Sequence, residues 1–434
     1  MNPASDLRAA VDAAAAHVRA LRRDLHRHPE LGWSEYYTTA RLRDELHAVG
    51  ITDIIAGTDL YRGATRLGVP DATVLAAAAG AAGVSEADLA TMRAGTGLIT
   101  TLDSGRPGPV VTLRADIDAL PIDESTDPDH TPHAGGYRSS RAGIMHACGH
   151  DAHAAVVAGV ARVLRDLGAP RRGAVQFIFQ PAEEGTRGAD AIVQAGWLDR
   201  TDYFLGLHNA ARPWFGTGHL CPGVHGLLAT TKIDIHIRGR EAHFGLAPHL
   251  GRSAVDAASA IALLAHAIPR RPGGSGLTNI GRIDSGRARN VVPGEALLLA
   301  EVRADRNEDA DALLAGMHRL VEGIAHAFDV TATVEVVGRS PAADSDRELA
   351  TLVGEVAAEQ PGITVHDTMA YEASDDAAAM MRRVQERGGQ ATYLHIGSHL
   401  PGTTHTPRFD VDEASLPPAV TVLAGTVLRL TAAP

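Results

Sequence analysis

Apolar residues recur along this chain with two different periods, and the change from one to the other divides it. From Asp6 to about His28 the three-to-four-residue spacing predicts an amphipathic helix, stopped by Pro29. Ser34 is placed to cap a second helix running to about Val49, with Gly50 as its stop. Three short apolar runs read as buried strands: Val110-Val111-Thr112-Leu113-Arg114, Val175 to Gln180, and Tyr203 to Leu207. Between the first two, Ala154 to Leu167 carries Val156, Val160, Val163, Leu164 and Leu167 at helical spacing. Strand and helix patterns that alternate predict an α/β layer architecture. Residues 57–97 form a long polar and Ala-rich insertion to which the pattern assigns no role.

After about Gly226 the period changes to two. Ile233, Ile235 and Ile237 alternate with Asp234, His236 and Arg238, the signature of a strand buried on one face. A helix follows from about Arg252 to Ala267, then strands near Leu277–Ile283 and Ala296–Arg303. A helix from about Asp309 to Ala325 and a strand from Val330 to Val336 complete the segment. The order β-α-β-β-α-β is that of a ferredoxin-like module. Residues 226–340 are therefore expected to form a second domain, inserted into a first made of residues 1–225 and 341–434. No internal repeat or low-complexity linker is visible.

Composition narrows the picture. A chain of 434 residues exceeds one ordinary core, which fits two domains. The net charge of −12, spread without acidic blocks, argues for a soluble protein and against nucleic-acid binding, which needs a basic face. Two cysteines, Cys148 and Cys221, exclude a disulfide framework and fit a reducing cytoplasm. Met1 to Glu30 has no apolar core of a secretory signal, and no apolar run is long enough to span a bilayer. The basic residues are almost all Arg, with Lys232 the single lysine, a bias of composition that assigns no function.

The chemistry concentrates in His146-Ala147-Cys148-Gly149-His150-Asp151-Ala152-His153, just ahead of the 154–167 helix, which places the cluster on the loop at its N-terminus. Glu183-Glu184 directly follows one apolar strand and Pro181, and His208 ends another. A lone His or Glu pair is a weak signal, but polar residues just past buried strands are where open α/β sheets place their sites. Cys, His and Glu are ligands for zinc-like metals. Cys148 and His150 are close enough to turn toward one metal, and a thiolate can bridge two. One glutamate of the pair can bind metal while its neighbour serves as general base for hydrolysis. His208 and His405 would complete the shell. Asp116, at the end of a strand, is either a strand-end cap or a carboxylate that orients a ligand.

These stretches resemble the amidohydrolase branch of the aminoacylase/carboxypeptidase metallopeptidases. The matches are Leu25 to Glu30, Arg114 to Pro121, the His146–His153 cluster, Gln180 to Gly185, Ala242-His243 and Arg289 to Pro293. They cover essentially the whole chain in order. The resemblance implies an α/β catalytic domain with an inserted ferredoxin-like dimerisation and lid domain. It implies Cys148, His150, Glu184, His208 and His405 as metal ligands and Glu183 as general base. It implies two divalent metals per subunit, Zn²⁺ or Mn²⁺ with Co²⁺ also suited. It further implies that His243 reaches the active site of a partner protomer and that Asn290, with Arg289 nearby, holds the substrate carboxylate. The expected partner is a small N-acyl or N-aroyl amino acid with an acidic amino-acid part, of the p-aminobenzoyl-glutamate type. A homodimer, or a hetero-oligomer with a homologous subunit, follows from the same resemblance.

The chain departs from the pattern at three places. Phe244 follows His243 where a small residue is usual, Asp375-Asp376 stands where Glu-Asp is common, and Thr404 precedes His405 where a second His often sits. None removes a ligand. Two other readings compete with the amidohydrolase. An aromatic-amine deaminase would release ammonia without an amino acid. A non-catalytic partner subunit would be silent alone and stimulate another chain, and the intact Glu183 and ligand set count against it.

Overall fold

The computed structural model describes residues 3–93, 95–210, 214–371 and 373–432. Its largest element is a mixed eight-stranded sheet. The strand order is Ile54–Ala56, Leu98–Asp103, Ala174–Gln180, Val110–Asp116, Tyr203–Ala210, Gln390–Gly397, His219–Cys221, Thr364–Val365. The four central strands, Ala174–Gln180 through Gln390–Gly397, run parallel. Their apolar runs are buried almost throughout, as a strand covered on both faces requires. All four point their carboxyl ends to one edge, and that edge carries the polar cluster.

On one face lie the helices Pro3–Arg27, His150–Asp166 and Leu416–Leu430, packed through Val18, Leu21, Val156, Val160, Val420 and Leu423. Gly159 makes this contact possible. A Cβ there would lie 2.6 Å from Val18 Cγ2 and 3.2 Å from Val420 Cγ2, so any side chain would push the helices apart. The opposite face is covered by Gly188–Gln194 and Ala377–Glu386 through Ile192, Met380, Met381 and Val384. The result is a three-layer α/β/α body.

The segment between about 226 and 340 builds a separate antiparallel sheet in the order Leu277–Ser285, Glu295–Ala304, Ala229–Arg238, Thr331–Ser340. Two helices, Ala254–Leu264 and Asn307–Ala327, cover one face, over Ile233, Ile235, Ile237 and Leu298. The alternating isoleucines were legible as this buried face, and the strand order is the ferredoxin-like one. The chain leaves and re-enters the body side by side, where Leu227 and Ala343 exchange backbone hydrogen bonds.

One local expectation is corrected. The second helix, Tyr36–Ala48, is not capped by Ser34, whose hydroxyl donates to Leu31 O. Glu30 takes that role through space, accepting the amides of Tyr37 and Thr38 at 2.9 Å. Residues 57–97, to which the sequence pattern assigned no role, carry structure of their own. They contain the short helices Thr58–Tyr61, Ala72–Ala81 and Glu86–Thr91 and reach the functional edge described next. Among the described residues, no helix is long and apolar enough to cross a membrane.

Candidate metal centre

The Cys/His cluster straddles a helix start. The helix begins at His150, not near Ala154, so His150 and His153 occupy its first turn and only the residues up to Gly149 lie on the loop. Gly149 turns the chain in the left-handed region (φ 91°), a conformation that favours glycine. A Cβ there would also stand 3.0 Å from Asn209 Nδ2. Three residues apart on the helix, His150 and His153 share one side.

Their roles differ. His153 Nδ1 lies 2.6 Å from Asp116, and its Nε2 accepts the Asn209 amide at 2.9 Å, so both nitrogens are engaged. His208 donates from Nδ1 to Asn209 O at 2.7 Å, which leaves the Nε2 lone pair facing Cys148 Sγ at 3.4 Å. Burial, and then His153 beside it, pulls the His208 pKa down to about 4. A neutral imidazole whose second nitrogen is fixed by a carbonyl is the form that binds metal. Burial pushes the Cys148 thiol up, a cost that a bound cation would reverse.

Glu183 and Glu184 sit on a tight turn after the strand Ala174–Gln180, with Ala182 and Thr186 at φ 54° and 57°. The Asp118 carboxylate accepts the amides of Glu183 and Glu184 at 3.0 and 2.9 Å and fixes the turn. Asp118 Oδ1 also lies 3.3 Å from His150 Nδ1. Arg187 folds back and donates to Glu184 O at 2.8 Å and to Gly68 O at 3.0 Å, which ties the 57–97 segment to the turn. From the other side Arg339 N–H donates to Thr186 O at 2.7 Å. Burial, then the carboxylates of Asp375, Glu184 and Asp376, raise the Glu183 pKa well above its ordinary value. His405 is brought in by its own amide, bonded to Ala147 O at 2.8 Å, and its Nε2 lies 3.3 Å from Glu184 Oε1.

The donor atoms converge. Those of Cys148, His150 and His208 lie within 4.8 Å of one another, as do those of Cys148, Glu184 and His405, and those of His150, Glu183 and Glu184. Cys148 belongs to two of these groups, the arrangement a bridging thiolate requires. Both nitrogens of His150 and Oε1 of Glu184 are buried and make no well-aligned hydrogen bond among the described residues, having only ion-pair contacts of 3.3 to 3.8 Å. Buried polar atoms left open in this way point to a missing ligand. The residues therefore fit a pair of divalent metals of the kind that accept mixed S, N and O donors.

Asp116 is not a spare carboxylate. Burial would raise its pKa, but His150, His153 and Arg114 hold it well below the usual range. It binds His153 on one oxygen and Arg114 on the other, at 2.6 and 2.7 Å. Arg114 is itself fully buried and reaches Asp376 and Asp375 at 3.0 and 3.3 Å. Those two acidic groups are thereby tied to the sheet, and their oxygens also lie within 4.8 Å of a Glu183 oxygen.

Above the cluster opens a cavity of about 700 Å³, lined by Cys148, Glu183, Glu184, His208, Asp375 and His405 among others. Its volume suits a small organic substrate. His243, Arg289 and Asn290 do not line it. They are exposed on the inserted segment, where Val291–Val292 pairs with Ala242–His243 and the Phe244 amide donates to Asn290 O. His243 Nδ1 accepts the amides of Gly245 and Leu246, which places its proton on Nε2.

The sequence left several supporting residues unassigned. Asp118 and Arg114 flank Asp116 in the same motif, and their every-second-residue spacing was the available signal. His26 and Asp151 also lie in matched stretches. His26 is buried between Asp151 and Glu124 at 2.8 and 3.0 Å. Arg187 acts through backbone carbonyls, a role that its residue type does not announce.

Residues 112–429 match Peptidase family M20/M25/M40, and the chain belongs to this metallopeptidase family. It is 38% identical over 94% of its length to a p-aminobenzoyl-glutamate hydrolase subunit homolog of Haemophilus influenzae, covering 97% of that protein. It is 37% identical over 94% of its length to the indole-3-acetyl-aspartic acid hydrolase of Enterobacter agglomerans, covering 94% of that protein. Among solved structures, the aminobenzoyl-glutamate utilization protein of Klebsiella pneumoniae superposes with a TM-score of 0.83 at 34% identity, over 97% of this chain and 98% of that one. A dinuclear metal-binding peptidase of the M20 family from Bacillus subtilis superposes with a TM-score of 0.65 at 26% identity, over 96% and 98%.

Proposed function

We propose that this chain is a metal-dependent amidohydrolase that cleaves the amide of an N-acyl or N-aroyl amino acid with an acidic amino-acid part, a p-aminobenzoyl-glutamate-like substrate being favoured. The observation that carries this reading is the convergence of Cys148, His150, Glu184, His208 and His405 beside Glu183 at the base of one cavity. Cys148, His150, Glu184, His208 and His405 would hold two divalent ions per subunit, Zn²⁺ or Mn²⁺, with Co²⁺ also suited. When bound, the ions supply Lewis acidity, polarising the scissile carbonyl and acidifying water. Glu183 takes the proton from the attacking water on its carboxylate and hands it to the leaving nitrogen. Asp118 keeps the turn that carries Glu183 in place, and Asp116 orients His153 behind the ligands.

The remaining groups come from the inserted domain, which we take as residues 226–340, with residues 1–225 and 341–434 forming the catalytic domain. His243 of a second protomer donates Nε2–H to the oxyanion that develops at the carbonyl. Asn290, with Arg289 nearby, holds the substrate α-carboxylate. Support for a homodimer comes from apolar side chains left in solvent on that domain: Leu263 on its helix and Leu277 and Ile283 on its edge strand. The Haemophilus relative is named as one subunit of its hydrolase, which keeps a hetero-oligomer with a homologous chain within the same scheme. Two free cysteines accord with a cytoplasmic location.

The test is a panel of aroyl- and acyl-amino acids given to the metal-reconstituted protein and read by mass spectrometry. Free amino acid and free acid should appear together, and chelation should abolish both. Ammonia without amino acid would replace this reading with a deaminase, and a chain silent on every conjugate would sink it.

A further inference from the structure

The cavity has a second wall, and that wall is cationic. Thr230, Lys232 and Arg303 line it together with the metal-centre residues, although they belong to the four-stranded sheet. Register explains how they meet. Arg303 pairs with Thr230 and Glu301 with Lys232 on adjacent strands, so these side chains share the face of the sheet opposite Ile233 and Ile235. The isoleucine face is closed by helices, and the end of the opposite face that carries Thr230, Lys232 and Arg303 lines the cavity.

The two cations are held differently. Arg303 is clamped by Glu301, with Nε and Nη2 at 2.9 and 3.3 Å from its two carboxylate oxygens. That ion pair occupies the one carboxylate that stands opposite Lys232 in the sheet. Lys232 is half-buried and forms no ion pair among the described residues. An ammonium drawn partly out of water without a counter-charge favours an anionic ligand. It is also the single lysine of a chain with 40 basic residues.

We propose that Lys232, backed by Arg303, is the subsite that reads the side-chain carboxylate of the substrate's amino acid and so selects dicarboxylic over neutral amino-acid conjugates. The proposal rests on the amidohydrolase reading above and deepens it. It separates two carboxylates: the α-carboxylate goes to Asn290, the side-chain carboxylate to Lys232. Because Lys232 lies on the strand Ala229–Arg238, close to the point where the chain leaves the body at Leu227, the subsite stays beside the metal centre.

The experiment compares p-aminobenzoyl-glutamate with p-aminobenzoyl-glutamine, which has the same length, the same α-carboxylate and a neutral side chain. Wild-type enzyme should favour the glutamate conjugate. Lys232→Met should lose about ten- to a hundredfold in kcat/KM on it, the worth of one hydrogen bond to a charged group. The loss should fall mainly on KM, the glutamine conjugate should be unaffected, and Lys232→Arg should recover part of the preference. Equal losses on both conjugates, or no wild-type preference, would overturn the subsite while leaving amide hydrolysis intact. A second readout needs neither turnover nor a variant. Reductive ¹³C-methylation labels one lysine in the whole chain. Its NMR signal should shift when p-aminobenzoyl-glutamate is added and stay still with the glutamine conjugate. A signal indifferent to both overturns the proposal even in a preparation that hydrolyses nothing, whereas a selective shift without turnover would support the subsite and count against the hydrolase.

Discussion

The two sheets of this chain are built by the same rule and end in opposite conditions. In the eight-stranded sheet, polar groups at the strand ends are buried and matched inside the chain. Arg114 meets Asp116, Asp375 and Asp376, His153 meets Asp116, and Asp118 meets the amides of the Glu183-Glu184 turn. In the four-stranded sheet only one face is closed. Leu263, Leu277 and Ile283 stand in solvent, and His243 and Asn290, at the small two-stranded sheet, are exposed and do not line the cavity. In the first region the polar groups named above are matched inside the chain, while others, such as both His146 nitrogens and Asn209 Nδ2, are buried without a hydrogen-bond partner among the described residues. The second has surface and chemistry still unspent, so the two should respond differently to the same perturbations.

The largest difference should come from the first region. Glu183→Gln keeps the shape of the turn and removes the base. It should retain metal while losing about two to four orders of magnitude in turnover, the usual worth of general acid–base help. Cys148→Ser should instead lower bound metal, measured by elemental analysis. A Glu183→Gln variant with most of its activity would show that the buried carboxylate is structural.

The next largest effect belongs to the second region. His243→Ala should cost about a hundred- to a thousandfold in kcat with no change in metal content, the scale of losing one oxyanion donor. Mixing inactive Glu183→Gln and His243→Ala chains should restore part of the activity, because a mixed dimer contains one intact composite site. Verified exchange of protomers without recovery, or a monomer as the active species, would make the second region self-sufficient after all.

The smallest effect concerns stability. Burial and the nearby Arg22 charge lower the His26 pKa, but hydrogen bonds to Asp151 and Glu124 outweigh them and leave it raised to about 9. A raised pKa means stability fully present below the ordinary histidine value and lost as pH climbs through about 9. Hydrogen exchange should therefore show the body losing protection between neutral pH and about pH 9.5, while the four-stranded sheet, which lacks this network, changes little. His26→Gln should be less stable at neutral pH and flatter in its pH dependence.

What could be read beforehand follows from the physics of each feature. Val110–Arg114 and the Ile233, Ile235, Ile237 alternation were legible because burial writes itself directly into residue type. The candidate donors Cys148, His150, Glu184, His208 and His405 stood out because thiol, imidazole and carboxylate side chains announce their chemistry. The helix start at His150 was misplaced because its first turn serves the site and carries polar residues where the apolar period should begin. The cap on the second helix was misassigned because Glu30 reaches it through space. Arg187 and Gly68 meet only in the folded chain, by way of a carbonyl that any residue would offer. Lys232 passed for compositional bias, since nothing in one dimension shows which cavity a strand face overlooks.

The missing side chain at Gly159 has one more consequence. Three helices close on that point, and the one that presents His150 is held there by the other two within a tightly packed core. The coordinating half of the cavity therefore inherits its precision from a core that tolerates almost no change. The half that meets the amino-acid side chain is a strand face of a different sheet, where residues can be exchanged without disturbing that core. Such a division lets a lineage revise which conjugates it accepts while the hydrolytic apparatus is handed down unaltered.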